Sequence, residues 1–151
     1  MNSHIKLYIC ICFIILLGCR NKICYTDYIK IEGQCWHSDS TLHYFVDIDD
    51  TLVNYNILLY LRHNNNYPYQ NIWLFITDEE NKIDTIECFL ADQYGRWIGN
   101  NYGRLKEMPV MYKSMVSFKK LGMYEYTIKH GMRNECLEGV EDVGLSFISV
   151  P

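Results

Sequence analysis

The sequence lacks the features of several large protein classes. Its 14 Lys and Arg residues are outnumbered by 18 Asp and Glu residues, and the basic residues form no cluster, so nucleic acid is an unsuitable partner. It contains no Cys-x-x-Cys pair and its five histidines are scattered, so we predict no metal site and no cofactor. Beyond the N-terminal run, no segment keeps apolar residues at helical spacing for three turns, which argues against a helical bundle.

The apolar content, by contrast, is high enough to form a core. Hydrophobic residues make up 49% of the 151 positions and aromatic residues 15%, which is typical of a folded domain. Thirteen tyrosines favour β structure, because aromatic rings pack well on a pleated, half-buried surface. The length suits one domain.

The N-terminus has the pattern of a lipoprotein leader. "LYICICFIILL", Leu7–Leu17, is an uncharged apolar run of the length of a cleavable signal helix, and a membrane-spanning helix needs about 20 residues. The run ends in "LLGC", Leu16–Cys19, an order similar to a bacterial lipobox, in which the peptidase cuts before the cysteine and the thiol is acylated. The alternative is a buried hydrophobic helix with an incidental cysteine.

This pattern predicts that the chain has three segments, and it also predicts where in the cell the protein is located. Residues 1–18 form the signal peptide, residues 19–24 the lipidated Cys19 and its tether, and residues 25–151 the folded domain. Acyl chains on Cys19 would bind the domain to the lipid bilayer of the cell envelope. Because Arg20 replaces the Asp that retains some lipoproteins in the inner membrane, and the tether has no acidic export signal, we expect an outer-membrane anchor and a periplasm-facing domain.

Four cysteines remain in the predicted mature chain: Cys24, Cys35, Cys88 and Cys136. Outside the cytosol they permit two disulfides in any of three pairings, among which the sequence does not choose. The alternative is four unpaired, mostly buried thiols. For Cys35, which precedes Trp36, we expect a buried cysteine beside a core tryptophan.

In the rest of the chain, apolar side chains recur mainly at every second position, and this spacing indicates β-strands. In "LHYFVDI", Leu42–Ile48, every second side chain is apolar and is expected to face the core. "IWLFIT", Ile72–Thr77, is apolar on both faces, which predicts a strand covered on both sides. The further alternating runs are Tyr55–His63, Ile83–Leu90, Met123–His130 and Val143–Val150.

These short strands alternate with segments rich in Gly, Pro and Asn, and no helix separates them. The pattern therefore predicts an all-β fold, an antiparallel β-sandwich of jelly-roll-like type. No internal repeat or low-complexity linker is present.

"DIDDT", Asp47–Thr51, is similar to the first motif of the haloacid-dehalogenase-like phosphatases, with Asp47 as nucleophile and Asp49 as general acid and base. That chemistry requires a parallel sheet with helical crossovers, and the sequence after Asp50 predicts another strand. A calcium loop also fails, because Leu52 stands where an EF-hand needs Gly. We expect instead that Asp49 and Asp50 begin a hairpin turn.

An ordered series of three motifs extends over roughly Tyr25–Val150. The first two contain Arg62, Asn64, Tyr67, Pro68 and Asn71, followed by Leu90, Ala91, Asp92, Gly95, Trp97, Gly99 and Gly103. The last contains Gly122, Tyr124, Met132, Arg133, Leu137, Gly139, Val140, Asp142, Val143, Gly144 and Leu145. Together these positions resemble the motifs of the gliding-motility lipoprotein GldH family. One departure is Asn101 where the family usually has Gly, and we expect its backbone to be left-handed.

The resemblance implies a non-catalytic envelope lipoprotein associated with gliding motility and the related secretion machinery. Its partners would be the bilayer, through Cys19, and proteins of an envelope assembly. No enzymatic activity is implied.

The loop "YGRWIGNNYGR" is the best candidate for binding a protein partner. It carries Arg96, Trp97, Tyr102 and Arg104, and binding interfaces are enriched in Trp, Tyr and Arg. An alternative is a sugar-stacking platform formed by Trp73, Trp97 and Tyr102, although packing of Trp97 against the domain is favoured. For Arg133 in "HGMR" we favour a salt-bridged surface position.

Overall fold

Residues 22–78 and 80–150 are described by a computed structural model, and these residues form two packed antiparallel sheets. The predicted signal peptide and Cys19 lie outside the described residues. The strands are β1 (Lys22–Lys30), β2 (Cys35–His37), β3 (Leu42–Ile48), β4 (Asn54–His63), β5 (Asn71–Thr77), β6 (Ile83–Phe89), β7 (Asn100–Tyr102), β8 (Leu105–Val116), β9 (Gly122–His130), β10 (Cys136–Glu138) and β11 (Val140–Val150), with a 3-10 turn at Glu32–Gln34.

The strand order confirms the predicted antiparallel β-sandwich. One sheet has five strands in the order β1-β11-β4-β8-β7, and the other has four in the order β3-β9-β5-β6. A separate two-stranded pair joins β2 to β10. Among the described residues there is no α-helix, and so none of the length and apolarity that crossing a bilayer requires.

The sandwich has two ends, which we call the basal end and the far end. The basal end contains Lys22, where β1 starts, with the loops 49–53 and 117–121. The far end contains the segments 64–70, 90–99 and 131–139, which follow β4, β6 and β9. All pairings are antiparallel, so β1, β4 and β9 run from the basal end to the far end.

The alternating runs place their apolar side chains between the sheets, as predicted. Every second residue of β3, from Leu42 to Ile48, is buried, and the intervening residues are exposed. In β4 the same period buries Tyr55, Ile57, Leu59 and Leu61. Phe147 of β11 lies at the centre, where its ring contacts four other aromatic rings.

Two expectations from the sequence were wrong, one about the burial of β5 and one about the loop after β3. The outer face of β5 is half open, since Trp73 is 39% exposed and Phe75 41% exposed, so the strand is not covered on both sides. The segment after Asp49 is not a hairpin turn, because β3 and β4 belong to different sheets and the loop crosses between them. Its Asp50 side chain does accept a hydrogen bond from the Leu52 amide at 2.8 Å, as expected for a local Asp turn.

Buried tyrosines fix three loops, and join β3 to β11, through their hydroxyl groups. Each of these hydroxyls donates to a backbone carbonyl, so the aromatic body is buried without leaving a polar atom unsatisfied. The donor and acceptor pairs are Tyr44–Val143, Tyr55–Asp50, Tyr67–Asn71 and Tyr124–Lys120, at 2.7–2.8 Å. The high tyrosine content therefore fixes loops at both ends of the sandwich.

Candidate functional site

Three segments distant in sequence meet at the far end. The Asn64 amide donates to the Gly139 carbonyl at 2.8 Å, and the Leu90 amide donates to the Gln70 carbonyl at 2.7 Å. The Ile98 amide donates to the carbonyl of Leu90 at 2.9 Å. Many of the positions that carry the family resemblance lie in these three segments, while others, such as Gly122 at the basal end, lie elsewhere.

Two glycines are required where the segments touch. Gly99 has φ +84°, and a side chain there would collide with the carbonyl of Glu107. Gly139 also has φ +84°, and a side chain there would collide with the backbone of Tyr67. Only glycine combines this conformation with such close backbone approach.

Trp97 packs the long loop onto the domain, which is the role that the sequence favoured. Its half-buried ring stands edge-on to His63, with centroids 4.5 Å apart, and lies 6.4 Å from Tyr67. Tyr102 is exposed on the edge strand β7, and no described ring contact joins it to Trp97. Trp73 lies on the other sheet, so the three rings do not form the single sugar platform considered above.

The two arginines of the predicted partner-binding loop are exposed. Arg96 donates to Asp92 at 2.8 Å and lies over the ring of Tyr94. Arg104 is 4.0 Å from Glu141. Both are surface pairs, which contribute little to stability and leave the guanidinium groups accessible to a ligand.

Asn101 does not have the left-handed backbone that we expected. It belongs to β7, and it is not among the residues of positive φ. Its side-chain oxygen instead accepts a hydrogen bond from Lys106 at 2.8 Å. The strand pairing of Asn101 with Lys106 requires extended backbone, which a non-glycine residue adopts easily.

A row of charged and polar side chains crosses the outer face of the five-stranded sheet near the far end. Asp142, Arg62, Glu107 and Asn100 are register neighbours on β11, β4, β8 and β7. Arg62 donates to Glu107 at 2.6 Å and lies 3.7 Å from Asp142. The guanidinium also stacks 3.9 Å above the ring of Tyr28.

Asp142 is the least satisfied member of this row. Its Oδ1 atom is buried and has no hydrogen-bond partner among the described residues, since 3.7 Å to Arg62 is an ion-pair distance only. Burial raises the pKa of Asp142 above its usual value, and the Arg62 charge opposes that shift. The Arg62 charge therefore favours the ionised form of this half-buried carboxylate.

Two buried histidines flank the same end in their neutral form. Burial lowers the pKa of His63 and of His130 below the ordinary value. His130 bonds through Nε2 to the Trp36 carbonyl at 3.0 Å, and its Nδ1 has no described partner. Their place in the core makes them packing groups beside Trp97 and Trp36.

A disulfide between Cys35 and Cys136 closes the far end by joining β2 to β10. The sequence left the cysteine pairing open, and the structure selects this one bridge. Cys24 is exposed and free, and Cys88 is buried, with its pKa raised to about 11 by burial. The expectation of a buried cysteine beside a core tryptophan was right about Trp36, which is fully buried, whereas Cys35 is only half-buried.

A groove of about 460 Å³ opens beside the far end, on the outer face of the four-stranded sheet. Trp73 and Tyr69 supply its rings, and the Tyr69 hydroxyl donates to Asn134 at 2.7 Å. Gly131 lets the Trp73 and Phe75 side chains pack against the backbone at the base of the groove. The lining residues are Tyr69, Asn71, Trp73, Gly131, Met132, Arg133 and Asn134.

Arg133, which lines the groove, is exposed and pairs with no acidic group in the described part of the chain. The salt-bridged position favoured by the sequence was therefore wrong. Sequence reasoning singled out Trp73 and Arg133 separately and missed Tyr69. The adjacency of the "YPYQN" and "HGMRN" segments depends on the pairing of β5 with β9, which no local pattern reveals.

The "DIDDT" motif does not meet the needs of phosphatase chemistry. Asp47 is exposed on β3, an edge strand paired antiparallel to β9, and its loop leads to β4 without a helix. Within the ranges 22–78 and 80–150, no group of three or more His, Cys, Asp or Glu side chains is placed to hold a metal ion.

The described residues form an antiparallel β-sandwich domain with a cross-linked far end, an exposed groove and a loop rich in aromatic and arginine side chains. A family model described as "GldH lipoprotein" matches residues 23–147. The chain belongs to the GldH lipoprotein family.

Two relatives extend this assignment along most of the chain. The gliding motility lipoprotein GldH of Flavobacterium johnsoniae is 36% identical over 142 residues, which cover 87% of each chain. The GldH homolog of Christiangramia forsetii is 33% identical over 156 residues, which cover 95% of each chain. Among solved structures, an exo-β-1,3-galactanase from Phanerochaete chrysosporium matches 83% of this chain and 27% of its own at 11% identity and a TM-score of 0.41, a level of likeness from which nothing follows about activity.

Proposed function

We propose that the chain is a non-catalytic lipoprotein of the cell envelope, anchored through Cys19 and acting as a structural or interaction component of a gliding-motility or related secretion assembly. Family membership supports the envelope and motility assignment. Arg20 and the non-acidic tether support an outer-membrane anchor with the domain facing the periplasm.

The observation that carries the proposal is the position of the first described strand. Cys19 lies three residues before Lys22, where β1 begins, so its backbone is within about 11 Å of the basal end. β1 then runs nine residues to the far end, a rise of about 26 Å. An acylated Cys19 thus holds the basal end at the bilayer and presents the far end, with Arg96, Trp97, Tyr102 and Arg104, to partners.

Replacing Cys19 by Ala is expected to abolish acylation and to release the protein from the membrane fraction. Metabolic labelling with an alkyne palmitate, followed by fractionation of the envelope, measures both effects. Cys24→Ala is the matched control, because Cys24 is an exposed free thiol five residues further along that should carry no lipid. Equal labelling of wild type and Cys19→Ala would reject the anchor.

The groove favours carbohydrate binding as a second candidate function. Exposed Trp73 and Tyr69 offer apolar ring faces to the C–H groups of a sugar, while Asn71, Asn134 and Arg133 offer donors for its hydroxyl groups. A site with ring faces and a few convergent polar groups is the usual composition of a small-ligand site.

For this candidate, Trp73→Ala is expected to remove saturable binding on a glycan array while the domain remains folded. Phe45→Ala is the matched control, because Phe45 is an exposed aromatic on the outer face of the same sheet but outside the groove. A flat array with the wild-type protein, or equal losses in the two variants, would end the carbohydrate interpretation and leave the anchored interaction domain.

A further inference from the structure

Four large apolar side chains are exposed together at the basal end. Leu52 is 95% exposed, Leu121 and Met123 are 63% exposed, and Ile23 is 62% exposed. Apolar residues scattered singly over a surface are ordinary, but a group at one end indicates a contact.

The register shows that these side chains belong to one surface. Ile48 pairs with Gly122, so the loop before β4, which carries Leu52, lies beside the loop that carries Leu121. Lys22, Asp50 and Val53 line one shallow depression, which places the start of β1 beside the Leu52 loop. We call Ile23, Leu52, Leu121 and Met123 the basal rim.

Both loops of the rim are fixed from within the core. The Tyr55 hydroxyl donates to the Asp50 carbonyl at 2.7 Å, and the Tyr124 hydroxyl donates to the Lys120 carbonyl at 2.8 Å. Phe118 inserts between Tyr55 and Tyr124, with ring centroids 5.5 and 4.6 Å away. The leucines therefore project from backbone that is already ordered, which lowers the entropy cost of binding.

The charged groups around the rim suit a lipid headgroup region. The side chains of Lys22, Lys119 and Lys120 form no ion pair within the described part of the chain, whereas Lys113 nearby is paired to Asp84 at 2.7 Å. Asp49 and Asp50 lie at the same end, and Asp50 is engaged by the Leu52 amide. Asp78 and Glu80 line the depression that contains Lys119 and Lys120, and Asp78 is 3.8 Å from Lys113. Apolar tips flanked by long basic side chains match a surface of acyl chains beneath phosphates.

We propose that the basal rim is a second membrane contact, in which Leu52 and Leu121 insert into the bilayer interface while Lys119 and Lys120 meet the phosphates. The bilayer is the occupant because the tether from Cys19 reaches only about 11 Å. The inference rests on the lipid anchor of the proposed function. It adds that the sandwich stands with its strands along the membrane normal in one fixed orientation.

The test measures whether position 52 reaches the acyl chains. The acylated full chain carrying Leu52→Trp is reconstituted in vesicles of phosphatidylethanolamine and phosphatidylglycerol, with and without bromine on the acyl chains as a contact quencher of tryptophan. Leu52 is almost fully exposed, so the substitution disturbs no packing. Tyr94→Trp is the matched control, because Tyr94 is also exposed but lies at the far end.

We expect brominated lipid to remove most of the emission that Leu52→Trp adds to the wild-type signal and to leave the emission added by Tyr94→Trp unchanged. If Leu52→Trp emits equally in both lipids while the protein floats with the vesicles, the proposed membrane contact of the basal rim is wrong and the lipid anchor at Cys19 is retained. If the acylated protein fails to float, the anchor and the rim both fail. Quenching at both positions would also overturn the fixed orientation.

Discussion

Loss of the Cys35–Cys136 disulfide is expected to lower the free energy of unfolding by about 4 kcal/mol. The bridge spans a sequence separation of 101 residues, and a loop of that size loses much of its freedom in the unfolded chain when it is closed. The bridge also holds β2 to β10, which pair through only three residues. Urea denaturation of Cys35→Ala/Cys136→Ala against wild type measures the loss.

The free cysteines provide the control for this measurement. Cys24→Ala removes an exposed thiol and should leave the denaturation midpoint unchanged. Wild type in excess reductant should match the double variant, because both lack the same bond. A midpoint that is identical with and without reductant would mean that the bridge does not stabilise the domain.

Replacing Arg62 by Ala is expected to lower the free energy of unfolding by roughly 2–3 kcal/mol, less than the loss for a fully buried pair because the Arg62 side chain is 29% exposed. The change leaves Glu107 and Asp142 close together without a counter-charge, and it removes the cation from the ring of Tyr28. Arg96→Ala removes an arginine of an exposed pair and should cost less than about 1 kcal/mol.

The pH dependence distinguishes lost charge pairing from lost packing. Without Arg62, the already raised pKa of Asp142 rises further above its unfolded value, so the folded state takes up a proton first as the pH falls. The difference in free energy of unfolding between wild type and Arg62→Ala should therefore become smaller as the pH falls from neutrality towards the ordinary pKa range of Asp. A deficit that is constant with pH would assign the effect to packing alone.

Local pattern was sufficient for the strands that alternate cleanly. β3 and β4 each have one apolar and one more polar face, so their inward residues follow from sequence alone. β8 was missed because its 12 residues contain charges and Pro109. Pro109 lies beyond Glu107, where the pairing with β7 ends and one side of β8 has no described neighbour, and proline in sheets is typical of such edges.

The candidate site was less accessible to sequence reasoning because its contacts are long-range. Trp97 was correctly assigned a packing role, but its partners His63 and Tyr67 lie on another segment. The groove joins Tyr69 to Asn134 across 65 residues, and the disulfide joins cysteines still further apart. These contacts follow from the order of the strands in the two sheets, which cannot be read from composition and periodicity.

The shortness of the link between Cys19 and β1 determines how an anchored molecule of this kind meets others. Only two residues separate Cys19 from Lys22, so the proposed anchor would leave the domain little reach into the surrounding volume. Under that proposal, encounters would depend on lateral diffusion in the plane of the lipid, at a nearly constant height. A partner of the far end would then have to hold its recognition surface about 26 Å above the membrane, so the length of β1 would select among neighbouring proteins.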